Sequence, residues 1–287
     1  MKMLSFGEIL WDVYPNGKVI GGASLNLAAH TALLGADVYL ASAVGDDAPG
    51  REAIDVTKGF KINDKFISVL PDKETGAVLV SLSEKGIPSY EIKDNVAYDC
   101  IKLPCLEDES FDVLAFGTLS LRHNSNKETL SSLLSLYSFS HIYADLNIRL
   151  PHSTKESVDF CLSNATIIKV SDEEMPTVCD WIFSEQFCAE DFASEISKKY
   201  KNIKLIIITK GEKGSLAYDT ARKAFDYCDS VPTKVVSTVG AGDSFGAAFL
   251  TKYLSGADIH SCLDFASKVS SFVCSKKEAV PDTSYFI

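Results

Sequence analysis

Ser237-Thr238-Val239-Gly240-Ala241-Gly242-Asp243-Ser244-Phe245 is the stretch on which the fold turns. An apolar run ends in a glycine turn, and a carboxylate follows at once. The Phe245, Ala248, Phe249, Tyr253 spacing predicts that this acid sits in the first turn of a helix. Glycine lets the backbone bend so that successive N–H groups converge on one oxyanion, and the positive end of the helix faces the same point. A carboxylate is out of place in such an anion site unless it acts on a hydroxyl that is being phosphorylated. Asp243 therefore reads as a general base, with Gly240, Ala241 and Gly242 as the phosphoryl cradle. The plain alternative is an acid that favours a helix N-terminus for its dipole alone.

Upstream, short apolar runs at 111–116, 142–146, 167–170 and 205–209 alternate with amphipathic stretches near 125–138, 153–163 and 172–200. Strand and helix in series predict a parallel sheet sandwiched by helices. The opening segment repeats the pattern, with a strand at 3–6, a helix at 23–34 and a strand at 38–43, and joins the same sheet. Residues 65–92 differ: three short apolar runs are separated by Pro71-Asp72 and Lys85-Gly86 turn signals, which predicts an antiparallel meander. So few strands cannot form a stable core alone. They are expected to lean over the carboxyl edge of the main sheet as a lid, and they offer a contact for a homodimer.

At 287 residues and 46% hydrophobic content, the chain can bury a large core. A net charge of −11 and an isoelectric point near 5.0 argue against nucleic acid or an anionic membrane as partner, since both require a positive face. Eight cysteines without a CxxC pair point to reduced, buried thiols and a cytoplasmic protein. The N-terminus reaches Glu8 before a signal-peptide core could form, and no apolar run approaches the roughly 20 residues of a membrane span.

A partner to the glycine turn lies near the N-terminus: Gly21-Gly22-Ala23-Ser24-Leu25-Asn26, running on to Leu33-Leu34-Gly35 and then Val44-Gly45-Asp46-Asp47 and Gly50. In their order and separation the two segments resemble the ribokinase-like (PfkB) carbohydrate kinases over nearly the whole chain. Gly7-Glu8-Ile9-Leu10-Trp11-Asp12, Val96-Ala97-Tyr98-Asp99, Phe116-Gly117-Thr118-Leu119 with Arg122, and Asp145-Leu146-Asn147-Ile148-Arg149 look most like bacterial fructokinases. The resemblance implies an α/β fold, a ribokinase-like three-layer sandwich with a mostly parallel central sheet. One domain would span 1–287, with the small β lid at 65–92 inserted in it.

The resemblance also assigns roles. Asp12, following the first strand, would hold sugar hydroxyls together with Gly21, Gly22 and Asn26; Arg122, Asn147 and Arg149 are further substrate candidates. The plain alternatives are a solvated Asp, a helix-capping Asn and surface salt bridges. Lys169, Thr209, Gly211 and Gly214, with Gly240 and Gly242, are assigned to ATP, although Thr209–Gly214 also fits a simple hairpin turn. Glu174 would organise Mg2+ through water, while Ser171-Asp172-Glu173-Glu174 equally spells a capping box. Two departures stand out. Ser237 replaces the family's Asp, which contributes to a monovalent-cation site in potassium-activated relatives, and Glu278 replaces a frequent Gly in the facing loop. Potassium activation is therefore not expected.

The activity so implied is transfer of the γ-phosphoryl of ATP to a primary hydroxyl, with D-fructose the first acceptor. Ribose or 2-keto-3-deoxygluconate is the alternative within the family. A catalytically silent sugar-binding regulator is the alternative outside it, and such a protein would have no chemical reason to keep Asp243 between Gly240 and Gly242.

Overall fold

The computed structural model describes residues 1–82, 88–107 and 109–286, and the expected Lys85-Gly86 turn lies outside them. In chain order the strands and helices are β1 (Lys2–Phe6), β2 (Leu10–Tyr14), β3 (Gly17–Gly21), α1 (Ala23–Leu33), β4 (Asp37–Gly45), α2 (Ala48–Gly59), β5 (Ile67–Leu70), β6 (Gly76–Leu82) and β7 (Pro88–Ile92). There follow β8 (Val113–Gly117), α3 (Asn124–Leu136), β9 (His141–Asp145), α4 (Lys155–Asn164), β10 (Ile167–Ser171), α5 (Met175–Ile182), α6 (Ala189–Lys199) and β11 (Leu205–Thr209). The chain closes with β12 (Ser215–Asp219), β13 (Ala224–Cys228), α7 (Ala241–Leu254) and α8 (Ile259–Cys274).

Nine strands form the main sheet in the order β13-β12-β11-β10-β9-β8-β1-β4-β5. All neighbours from β11 to β5 are parallel, and the two hairpin pairings at the other edge are antiparallel. Side chains alternate along each strand, so Ile206 and Ile208 enter one core while Leu205 and Ile207 enter another. Leu130, Val158, Val178 and Phe192 of α3 to α6 cover the first face. Leu25, Phe249 and Leu263 of α1, α7 and α8 cover the second. With both faces buried, central strands can be apolar throughout, as β11 is.

From β1 the chain moves outward through β4 and β5, and from β8 it moves the opposite way through β9, β10 and β11. The β1–β8 border is thus a topological switch point, where loops at the carboxyl ends diverge and leave a crevice.

A second sheet of four strands, ordered β3-β2-β6-β7, stands apart over a small core of Leu10, Val78, Val80, Val96 and Tyr98. Its make-up corrects the expected meander. β5 pairs in parallel with β4 and extends the main sheet. Its place in the small sheet is taken by β2 and β3, an antiparallel hairpin whose Tyr14 and Gly17 are opposite each other. β6 runs parallel to β2 and antiparallel to β7. Asp12 therefore belongs to a strand of the small sheet, since Trp11 and Val13 turn one way into the main body while Asp12 points to the other face.

Candidate active site

The glycine turn is built as its sequence demands. Gly240 adopts a left-handed conformation, φ 80°, and a Cβ there would lie 2.2 Å from the Ala279 carbonyl oxygen. No side chain fits that position. Helix α7 starts at the next residue. Within its first turn the Ala241 N–H donates to the Thr238 carbonyl at 3.2 Å, whereas those of Gly242 and Asp243 have no acceptor among the described residues. The candidate anion cradle is thereby narrower than the sequence suggests, because the Ala241 donor is taken by Thr238.

Asp243 is only half-buried, yet its carboxylate is held firmly: Asn26 Nδ2 donates to Asp243 Oδ2 at 2.8 Å. Asn26 lies in the first turns of α1 and is buried. Its amide does not cap its own helix but reaches across to α7. Burial pushes the Asp243 carboxyl up to about 7, while the Asn26 hydrogen bond, Lys169 and Arg149 pull it down and Asp145 adds to the rise. A base that titrates near neutrality is well matched to taking a proton from an alcohol.

Beneath the turn, Lys169 on β10 donates to Asp145 Oδ2 at 2.8 Å at the end of β9. Both side chains are nearly inaccessible. Burial alone would discharge Lys169, but Asp145 and Glu174 outweigh it and hold the ammonium charged. The Lys169 Nζ lies 3.2 Å from where a Cβ on Gly242 would be, so this positive charge underlies the cradle. Asp145 Oδ1 is buried without a partner among the described residues.

Beside Asn26, a cavity of about 220 Å³ is lined by Asp12, Tyr14, Gly21, Asn26, Ser237 and Lys277, among others, and is the candidate acceptor site. Asp12 Oδ2 would approach a Cβ on Gly21 to 2.9 Å, and a Cβ on Gly22 would meet the Glu8 carbonyl oxygen at 2.5 Å. The glycine pair thus lets α1 begin close against both segments. Burial raises the Asp12 carboxyl, and Arg149 opposes the rise. Arg149 itself is exposed, and its charge reaches Asp12, Asp145 and Asp243 alike. Asn147, with φ 36°, lines a small cavity together with Asp145, Asp243 and Glu8.

Arg122 is placed elsewhere. Its Nε and Nη2 donate to the two oxygens of Asp99, each at 2.7 Å, and Nη2 donates also to the Lys93 carbonyl. With side-chain exposures of 4% and 2%, this is a buried fork that pins the segment returning from the small sheet. It corrects the assignment of Arg122 to the substrate.

Ser171 and Glu174 make the reciprocal bonds of a capping box, but across the turn that precedes α5 and not at its first residue, Met175. Glu174 Oε2 accepts from the Ser171 N–H at 2.8 Å, Ser171 Oγ accepts from the Glu174 N–H at 3.3 Å, and Glu174 Oε1 accepts from the Ile148 N–H. Glu174 thereby fastens the loop that carries Asn147 and Arg149. Thr209 ends β11 beside it, the Asp172 N–H donating to the Thr209 carbonyl at 2.9 Å. Gly211 and Gly214 have φ of 55° and 87°, and they close the β11–β12 hairpin; a Cβ on Gly214 would lie 2.2 Å from the Cys228 carbonyl oxygen. The eight cysteines are all free, but only Cys161, Cys179 and Cys262 are buried, fewer than expected.

Two acids at this site lie in the quoted motifs but are assigned no role there. Asp145 terminates a buried strand at the carboxyl edge, which is itself a sign of function. Glu8 follows Gly7 within an apolar stretch, and its buried carboxylate accepts from Ser24 Oγ at 3.1 Å, serving the open N-terminus of α1.

The architecture is thus a three-layer α/β body with an acid-bearing glycine turn and an overlying four-stranded sheet that carries a second acid, Asp12. Residues 8–284 match the family described as pfkB family carbohydrate kinase, and the chain belongs to that family. Among curated proteins it is 27% identical over 314 residues to fructokinase-2 of Solanum lycopersicum, covering 97% of this chain and 92% of that one. It is 26% identical over 290 residues to the 5-dehydro-2-deoxygluconokinase of Listeria innocua, covering 96% and 87%. Among solved structures, a sugar kinase of Pyrococcus horikoshii in complex with ATP superposes with a TM-score of 0.80 at 25% identity, covering 97% and 94%. The fold is ribokinase-like, and the chain is a carbohydrate kinase. Among the described residues no helix is long and apolar enough to cross a membrane.

Proposed function

We propose that this carbohydrate kinase transfers the γ-phosphoryl of ATP to the primary 6-hydroxyl of D-fructose. The observation that carries the reading is the Asn26–Asp243 hydrogen bond, which aims a base of raised pKa between the acceptor cavity and the unpaired N–H groups of Gly242 and Asp243. Asp243 takes the hydroxyl proton as the oxygen attacks phosphorus. The bond from the γ-phosphorus to the bridging oxygen breaks and leaves ADP. The two N–H groups and Lys169 stabilise charge on the transferring group. The Pyrococcus kinase with bound ATP supports this nucleotide, with Thr209, Gly211 and Gly214 forming its side of the site.

Mg2+ supplies charge neutralisation on the nucleotide phosphates. The unpartnered Oδ1 of Asp145 and the carboxylate of Glu174, the latter through water, are the oxygens suited to hold it. The β2-β3-β6-β7 sheet carries Asp12 over the acceptor and serves as the lid. Its exposed Val19 and Tyr90 supply apolar surface for a dimer through it.

A neutral sugar is favoured over a carboxylated one. Asp12 lines the acceptor cavity, Asp243 lies beyond Asn26 at its inner side, and Arg122 is spent on Asp99. Fructokinase-2 of Solanum lycopersicum points the same way. Measuring ADP release with fructose, ribose, glucose and 2-keto-3-deoxygluconate tests the proposal: fructose should give the highest kcat/KM by at least about tenfold, roughly 1.4 kcal/mol of discrimination. A higher value for the acid would overturn it.

A further inference from the structure

We infer that His30 is a positioning residue for phosphoryl transfer, fixing the Ala279 carbonyl on which the Gly240 turn is seated. The inference rests on the kinase reading and extends it to a residue outside the reacting centre. Asn26 and His30 are four residues apart on α1 and so share one face of the helix. Asn26 reaches Asp243. One turn further on, His30 Nε2 lies 2.9 Å from the Ala279 carbonyl oxygen. A carbonyl only accepts, so Nε2 carries the proton and Nδ1 is left with a bare lone pair. That Nδ1 is buried and has no partner among the described residues.

A fully buried imidazole with one unmet nitrogen is a costly way to fill space that leucine would fill better. The single N–H it donates is its justification. The carbonyl it holds takes no other hydrogen bond among the described residues, and it is the same oxygen that a Cβ on Gly240 would strike at 2.2 Å. The segment 275–281 has no helix or strand of its own to fix it. Through Asn26 and His30, one helix face therefore locates both the base and the turn that forms the cradle.

The test compares His30→Leu, which keeps the volume and loses the N–H, with His30→Gln, whose amide reaches as far as Nε2. The full-length variants are assayed for turnover, and amide hydrogen exchange is followed at 239–243 and 278–280. His30→Leu should lower kcat roughly 10- to 100-fold, the scale of a displacement of about 1 Å, with the KM for sugar within about threefold. Exchange in both segments should accelerate, and His30→Gln should recover most of both effects. If His30→Leu does not fold, His30→Asn, polar but too short, takes its place against His30→Gln. Unchanged exchange, or a kcat within about twofold of wild type, would overturn the inference. So would equal behaviour of the short and long variants. The exchange arm needs no turnover, so a wild-type protein that phosphorylated none of the sugars would refute the kinase reading while leaving the strut to be judged by itself.

Discussion

Replacing Asp243 by Asn probes the centre of the mechanism with little change of shape. The new side chain keeps an oxygen where Asp243 Oδ2 accepts from Asn26 Nδ2, so α1 and α7 stay tied. What disappears is the base. With the carboxyl at about 7, the free wild-type enzyme should show kcat/KM rising about tenfold per pH unit below that point and levelling above about 8. At pH 5 it should retain about one hundredth of the plateau. The variant should lose this slope together with a factor of roughly 10² to 10⁴ in kcat, equivalent to about 3 to 5 kcal/mol of barrier.

Stability should move in the opposite sense. The carboxyl's ordinary value is 3.8, so between about pH 4 and 7 the folded protein holds a proton that the unfolded chain has released. The folded state binds more protons there, and stability therefore falls as pH rises, by at most ~4 kcal/mol from this group. Asn cannot ionise and escapes that fall. Thermal unfolding should show the variant gaining on wild type by a few degrees between pH 5 and pH 8. A variant turning over within a few-fold of wild type, or a wild-type profile flat from pH 5 to 8, would remove Asp243 from the role of base.

Other consequences are separable by assay. Asp12→Ala should weaken fructose binding by roughly 1 to 3 kcal/mol in calorimetry while ATP affinity stays unchanged, and equal weakening of both would make Asp12 structural. Arg122→Met removes the buried cation that Asp99 pairs with and leaves its carboxylate only the Val96 N–H and the His123 ring, so denaturant unfolding should reveal a loss of about 3 to 5 kcal/mol, with the fructose KM of the folded fraction unaltered. Potassium should raise kcat/KM less than about fivefold over sodium at constant ionic strength, a coupling of about 1 kcal/mol at most, because Ser237 brings no charge and its Oγ already accepts from the Val239 N–H. A tenfold activation would show that the cation loop works without the Asp.

The parallel centre of the main sheet, β4-β1-β8-β9-β10-β11, was legible because both of its faces are covered, so these strands appear as apolar runs between amphipathic helices, whereas the edge hairpin β12-β13 carries no such run. The small sheet was not, for a reason of pairing. The segment 67–70 is as apolar as any lid strand, and only its partner, β4, distinguishes the two sheets. Parallel pairing leaves no local turn to betray it. A sign for the true hairpin did exist in Pro15-Asn16-Gly17 between two apolar runs, which places β2 opposite β3 and lifts Asp12 off the presumed loop. Arg122 was misassigned because its partner, Asp99, lies 23 residues away in another motif. The Lys169–Asp145 pair and the Asn26–Asp243 bond, the latter spanning 217 residues, likewise exist only after folding.

The glycines of the Gly240-Ala241-Gly242 turn look equivalent in sequence, yet the structure divides their labour. Gly240 is demanded by packing: its φ is positive and the Ala279 carbonyl blocks any Cβ. Gly242 is not, since its φ suits any residue and its would-be Cβ meets no backbone, only the end of the Lys169 side chain at 3.2 Å, which must shift by a few tenths of an ångström against Asp145. Gly240→Ala should therefore lower stability by roughly 1 to 3 kcal/mol along with turnover. At Gly242→Ala the fold should survive with nearly unchanged unfolding while kcat drops, because the added methyl stands between Lys169 and the bare N–H groups where the phosphoryl must approach. If the two variants lost stability equally, the cradle would have no glycine of its own. The turn would then be a packing device onto which the chemistry had settled.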